Sequence, residues 1–269
     1  MKKLAALLAT FLLVASSAFA DTTVKVDGST TVLPIMQKMV EAYMKANPSV
    51  KFTVSGGGSG NGIKALIDKT TDIAMASRKM KDKEIELAKE KGVAAKEIVI
   101  AVDAIIPVVN PANKVSAATL AQLKDLYAGK ITEWKAMGGE GPVVVISRDT
   151  SSGTYESWEE LVMKGEKVFP GALLQASSGA VVQAVSKNKN AIGYVGVGYL
   201  DASTKALTVD GVVGNDETAS SGKYAIARDL YVYTNGEPAG EIKKFVDWAL
   251  GAEGQKLVKE AGFVPLKKK

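Results

Sequence analysis

The chain has 269 residues, 46% of them hydrophobic and 23% charged, enough apolar material for one large domain or two modest ones without covalent staples. Cysteine and histidine are both absent, which excludes disulfides, thiolate chemistry and the commonest general base and transition-metal ligand. The net charge of +5 becomes +3 without Lys2 and Lys3; the other cations are interleaved with acids or gathered in KKK at 267–269, and with no aromatic–basic stripe a nucleic-acid partner is not expected.

Residues 1–20, MKKLAALLATFLLVASSAFA, combine a basic start, an apolar run from Leu4 to Val14 and a closing Ala18-Phe19-Ala20. This is the three-part pattern of a secretory signal, with cleavage expected before Asp21. The run is shorter than the roughly 20 residues a membrane span needs. No cysteine stands at the junction, so no lipid anchor is expected there, and the pattern favours a free periplasmic protein.

TVKVDG reads as a strand, and PIMQKMVEAYMKANP as a helix carrying Ile35, Met36, Met39, Val40, Tyr43 and Met44 at helical spacing. Pro34 suits its first turn and Asn47-Pro48 ends it. VKFTVSG is the next strand, followed by a short helix from about Gly62, the strand TDIAMAS and the charged helix of KMKDKEIELAKEKG. EIVIAVDAIIPVVNP, residues 97–111, is long enough to pass from one lobe to another. ATLAQLKDLYAGK, PVVVISRD, SSGTYESWEELVMKG, SGAVVQAVSKNKN and AIGYVGVGYL continue the alternation as helix, strand, helix, helix and strand. YAIARDLYVYTNG, residues 224–236, is a second candidate crossing, and GEIKKFVDWALGAEGQKLVKEAG reads as one last helix returning to the first lobe. The expectation is an α/β fold in two lobes, with lobe 1 over 21–104, lobe 2 over 105–225 and a return to lobe 1 over 226–269. A ligand would sit in the cleft between them, outside the carboxyl ends of parallel strands.

Three segments share one design. DGSTTVLP, SGGGSGNGIK and SRDTSSGTYESW each end a strand, pass through Ser, Thr or Gly, and open a helix. Capping alone explains any one of them. Three at one sheet edge gather hydroxyls and backbone N–H groups at positive helix ends, a setting for a small oxyanion. The glycines of the second segment would allow close approach to the backbone. Arg78 and Arg148 each close a strand beside such a turn, and a guanidinium fork suits a tetrahedral oxyanion. The P-loop pattern fails because Ile63 stands where its lysine belongs. No metal-ligand spacing, activating base or nucleophile elbow accompanies Ser59 or Ser152, so neither an enzyme nor a cofactor is expected.

DGSTTVLP, SGGGSGNGIKAL, TDIAMASR, SRDTSSGT, AVVQAV…AIGYVGVGYL and YVYTNG together resemble the periplasmic phosphate-binding proteins of phosphate ABC transporters, through nearly all of the chain after residue 20. The resemblance implies a type II periplasmic binding-protein fold with two crossing strands. It implies a monomer that closes on one inorganic phosphate ion and delivers it to permease subunits in the inner membrane. Carried over by position, it assigns the ligand to Thr30 with Ser29 or Thr31, to Ser59, and to Arg148, Ser152, Gly153 and Thr154; Ser77 and Arg78, at a position that departs from the family, are expected to touch it as well. Some members of that family have an aspartate after the serine that ends the third strand, where it accepts the phosphate proton; Arg78 stands there in this chain. Asp103 is the expected substitute acceptor and Asp149 the second choice. Sulfate or molybdate is the alternative ligand.

Overall fold

The computed structural model describes residues 22–267. The expected signal segment and its cleavage point lie outside the described residues.

The elements run β1 (Thr22–Gly28), α1 (Leu33–Ala46), β2 (Val50–Gly56), α2 (Ser59–Ile67), β3 (Ile73–Ala76), α3 (Asp82–Glu90), β4 (Ala95–Val109), β5 (Ala117–Ala118), α4 (Leu120–Tyr127), β6 (Val144–Arg148), α5 (Gly153–Leu161), β7 (Leu173–Gln175), α6 (Ser178–Ser186), β8 (Ala191–Gly196), β9 (Lys205–Ala206), β10 (Thr208–Val209), α7 (Asp216–Ser220), β11 (Ala227–Asn235), α8 (Gly240–Leu250) and α9 (Ala252–Glu260). Short 3-10 turns at Trp134–Met137 and Val197–Tyr199 complete the set.

The sheet order is β2-β1-β3-β11-β4-β8-β6-β7, with β9 beside β4. β1 pairs in parallel with β2 and β3, and β6 in parallel with β7 and β8. β4 joins the two halves. Its residues from Ala95 to Ala104 pair with β11, and those from Ile105 to Val109 pair with β8. The chain therefore changes partners inside one strand, between Ala104 and Ile105.

The buried side chains divide accordingly. One cluster holds Val24, Ile35, Met39, Val232 and Phe245, and a second, with Ile63, Leu66, Ala76 and Tyr233, lies under α2 and α3. A third holds Ile106, Trp134, Trp158, Val181 and Tyr194 beyond the changeover. The α1 face follows its 3.6-residue period, burying Ile35, Met36, Met39, Val40 and Tyr43. Tyr43 meets Phe245 of α8 edge to face at 5.2 Å and donates its hydroxyl to Glu241 at 2.6 Å. The last helical segment thus packs on the first lobe, but as two helices. The chain leaves helical geometry at Gly251 (ψ 179), which ends α8 and precedes α9; glycine is a poor helix former and periodicity alone passed over it.

Candidate anion-binding site

β1 ends at Gly28, and Ser29 shapes the turn that follows. Its N–H donates to Met75 O on β3 (2.9 Å), and its Oγ accepts from Thr31 N–H (3.2 Å). The next two hydroxyls face other elements. Thr30 Oγ1 shares a 3.4 Å bond with Ser178 Oγ and accepts from Ser178 N–H (3.3 Å). Thr31 Oγ1 shares a 2.8 Å bond with Thr154 Oγ1. The Tyr199 hydroxyl, pushed up to about 12 by burial, donates to Thr30 O.

The glycine-rich loop between β2 and α2 comes against the opposite lobe. Gly58 has φ +106, and a Cβ there would lie 2.6 Å from Ser151 Oγ and 2.8 Å from Ser151 O. Gly60 N–H donates to Ser151 O at 2.9 Å. What the glycines admit is the backbone of the other lobe, where the sequence suggested an anion. Ser59 opens α2 with 0% exposure, its Oγ accepting from Ser77 N–H (3.0 Å) and sharing a 3.2 Å bond with Ser77 Oγ. As the first helical residue it has a backbone N–H without an intrahelical acceptor.

The third turn follows β6. Asp149 accepts from Ser151 N–H (2.9 Å) and from the Ser151 hydroxyl, so it organises the turn. Ser152 caps α5, accepting from Thr154 N–H (3.2 Å) and Tyr155 N–H (3.3 Å). Its own hydroxyl proton stays available. A methyl group at Gly153 would lie 2.3 Å from Ser59 Oγ and 2.8 Å from Ser77 Oγ, which measures how closely the second and third turns approach. Arg148, 1% exposed, donates from Nε to Gln175 O (2.9 Å), from Nη2 to Ala176 O (3.1 Å) and from Nη1 to Ser178 Oγ (3.2 Å). Asp149 Oδ2 stands 3.9 Å from it, and burial pulls the guanidinium below its usual pKa. Neutral carbonyls hold the fork in place while its charge stays largely uncompensated.

Two expected residues have other partners. Arg78 faces two carboxylates: Nη1 and Nη2 donate to Glu84 at 2.7 and 2.8 Å, and Nε lies 2.7 Å from Glu156 of α5. A fork engaged in this way is not free for bidentate contact with an oxyanion, and its partners in the structure are carboxylates. Asp103, 0% exposed, accepts from Arg228 Nε (3.1 Å), from Arg228 Nη2 (2.9 Å) and from Val197 N–H (3.0 Å). Burial pushes its carboxyl up against the pull of Arg228. Asp103 is the counter-ion of Arg228, and with three donors on it a phosphate proton has little room.

The turns at Thr30, Ser59 and Ser152, far apart in the chain, thus converge between the lobes with Thr31, Ser77, Arg148, Gly153 and Thr154. Sequence reasoning missed Ser178 and Arg228. Ser178 opens α6 after Ser177, whose Oγ caps it by accepting from Ala180 N–H (3.1 Å). Its Ser177-Ser178-Gly179 repeats the Ser151-Ser152-Gly153 of the third turn, a signal that was available. Arg228 donates from Nη2 to Thr154 Oγ1 (2.9 Å) and from Nη1 to Gly153 O (3.3 Å). Among the described residues no group of three or more Asp or Glu side chains could hold a metal ion. The arrangement offers hydroxyl and amide donors at helix starts, with the buried Arg148 and the buried Arg228–Asp103 pair behind them. That can hold a small anion; it offers no activated nucleophile.

A family model described as a PBP superfamily domain matches residues 13–253. The phosphate-binding protein PstS of Borreliella burgdorferi is 34% identical over 259 residues, spanning 91% of this chain and 90% of that one. PstS of Staphylococcus saprophyticus is 35% identical over 270 residues, spanning 95% and 84%. A Clostridium perfringens substrate-binding protein solved with bound phosphate superposes with a TM-score of 0.85 at 36% identity, over 91% of this chain and all of the other. An ABC-type phosphate transport receptor of Vibrio cholerae gives a TM-score of 0.73 at 30% identity over 90% of this chain.

Proposed function

We propose a function from one premise: the chain belongs to the PBP superfamily and, within it, to the phosphate-binding proteins of ABC uptake systems. It captures inorganic phosphate for uptake and does not transform it; it is a binding protein and not an enzyme.

The observation that supports this most is the convergence of hydroxyls from three helix starts beside Arg148, all buried between two lobes in contact. Helix N-termini and oriented hydroxyls stabilise an anion without a full countercharge. Closure removes water and strengthens each of these contacts. We assign the ligand to Thr30, Thr31, Ser59, Ser77, Ser152, Gly153 and Thr154, with Arg148 supplying charge through Ser178. Ser29 and Asp149 shape the turns. The protein works outside the cytoplasmic membrane after loss of its leader, and its closed form is what a membrane permease receives.

Calorimetric titration of protein refolded from denaturant, so that no carried-over ion remains, tests the reading. One phosphate per chain is expected, with sulfate and molybdate binding far more weakly. No binding of phosphate, or equal binding of sulfate or molybdate, overturns it.

A further inference from the structure

Arg228 lies on the crossing strand β11, opposite Asp103 of β4. The pair forms a dipole with a direction. Its carboxylate end is held by Val197 N–H, and its guanidinium end reaches Gly153 O and Thr154 Oγ1 at the start of α5. An arginine can only donate, so Thr154 Oγ1 must accept. Thr154 and Thr31 share one further bond at 2.8 Å. Two hydroxyls hold two protons, and one of those lies in the bond between them. With a lone pair of Thr154 already occupied by a charged donor, the remaining proton is directed outward, towards whatever the site holds.

We propose that Arg228 is a positioning residue of the phosphate site: it fixes the hydroxyl directions of Thr154 and Thr31, and the positive end of its pair with Asp103 favours the doubly charged form of phosphate. This rests on the phosphate reading above and extends it to the ion's charge state. The titratable and charged groups about the pair are Asp103, Arg148, Tyr194, Tyr199, Tyr224 and Tyr231. The tyrosines are all pushed up by burial, well clear of neutrality. The tyrosines therefore stay uncharged across neutral pH, which leaves the second ionisation of phosphate and the Asp103 carboxyl, pushed up by burial against the pull of Arg228; Thr154→Val, which keeps Asp103, separates the two.

The test is a titration with inorganic phosphate from pH 6 to 8.5, on the wild type, Thr154→Val, the double variant Asp103→Asn/Arg228→Met, and all three changes together. The double variant removes both buried charges, so it avoids the unpaired carboxylate that Arg228→Met alone would leave; its melting curve checks that it folds. Wild-type affinity is expected to rise with pH. The double variant is expected to bind roughly tenfold or more weakly, the scale of a charge-assisted bond, with a flattened pH profile. Adding Thr154→Val to it should cost little more, because both changes break one chain of bonds. If wild type fails to bind phosphate, the functional reading itself falls. If wild type binds and the double variant keeps the same affinity and pH slope, or the effects of Thr154→Val and the double variant simply add, Arg228 has only a structural part and the proposal is overturned.

Discussion

Asp103 and Gly153 carry the clearest consequences at the scale of single residues. Asp103→Asn leaves the Arg228 guanidinium buried without its counter-ion, and removing one partner of a buried pair costs about 3–5 kcal/mol. Urea unfolding of ligand-free protein is expected to show a loss of that order, so weakened phosphate binding in this variant alone would say nothing about proton acceptance. Gly153→Ala acts differently. Its methyl group would collide with Ser59 Oγ and Ser77 Oγ across the contact between the lobes. Phosphate affinity should fall at least about tenfold, on the scale of overpacking a tight contact, while the melting point of the ligand-free protein moves little. Unchanged affinity would place these turns apart in the bound form. Local sequence made Thr30, Thr31, Ser152 and Thr154 legible, because strand end, hydroxyl and helix start follow one another within a few residues. It gave no sign of the partners of Arg78, because the carboxylates that occupy its fork come from elsewhere: Glu84 is six residues on and Glu156 is in the other lobe. It passed over Arg228, since one charge inside an apolar strand gives no sign of where it points.

Between elements, the ion cluster at the cleft edge links α3 and α5. Glu156 of α5 lies 2.7 Å from Arg78 and 2.8 Å from Lys81, both in the first lobe. Glu156→Gln should make closure less favourable and lower phosphate affinity about fivefold at low ionic strength, a value typical of a partly exposed pair. Titrations with and without added salt should show the difference from wild type shrinking as salt screens the cluster; an equal difference in both would mean that the pair does not act through charge. Glu84 behaves as a folding element within one lobe. Burial works to raise it, and the hydrogen bonds from Arg78 and the Lys81 backbone, with the charges of both residues, together outweigh burial, so its carboxyl is held below the usual range. Its stabilisation is therefore present above the unfolded pKa of about 4.3 and is lost as pH falls through the lower folded value. The melting difference between wild type and Glu84→Gln should be clear at neutral pH and vanish in that acid window; a difference that persists below it would trace to packing. Element type was legible wherever burial period was strong, as in α1. The break at Gly251 was not, because the apolar period runs on from α8 into α9 across the one residue that leaves helical geometry.

For the molecule as a whole, two α/β halves and two crossings could be read from strand–helix alternation and from two apolar runs too long for ordinary strands. What could not be read is how closely the halves meet, since contacts such as Gly60 to Ser151 and Thr31 to Thr154 join residues from opposite lobes and leave no periodic trace. Those contacts lead to the expectation that closure and binding are one event. The ion adds bonds that only the folded chain with its lobes together can offer, so phosphate must stabilise the protein by mass action, by about 2.7 kcal/mol at a hundredfold excess over Kd. The melting temperature should climb with the logarithm of phosphate concentration and show no plateau above saturation. Small-angle scattering over the same series should show a smaller radius of gyration with ligand, the radius levelling off at saturation while the melting point still rises. A melting point indifferent to phosphate would remove the link between binding and the folded cleft. A rise in melting point with no change in radius would instead mean that the lobes already meet before the ion arrives.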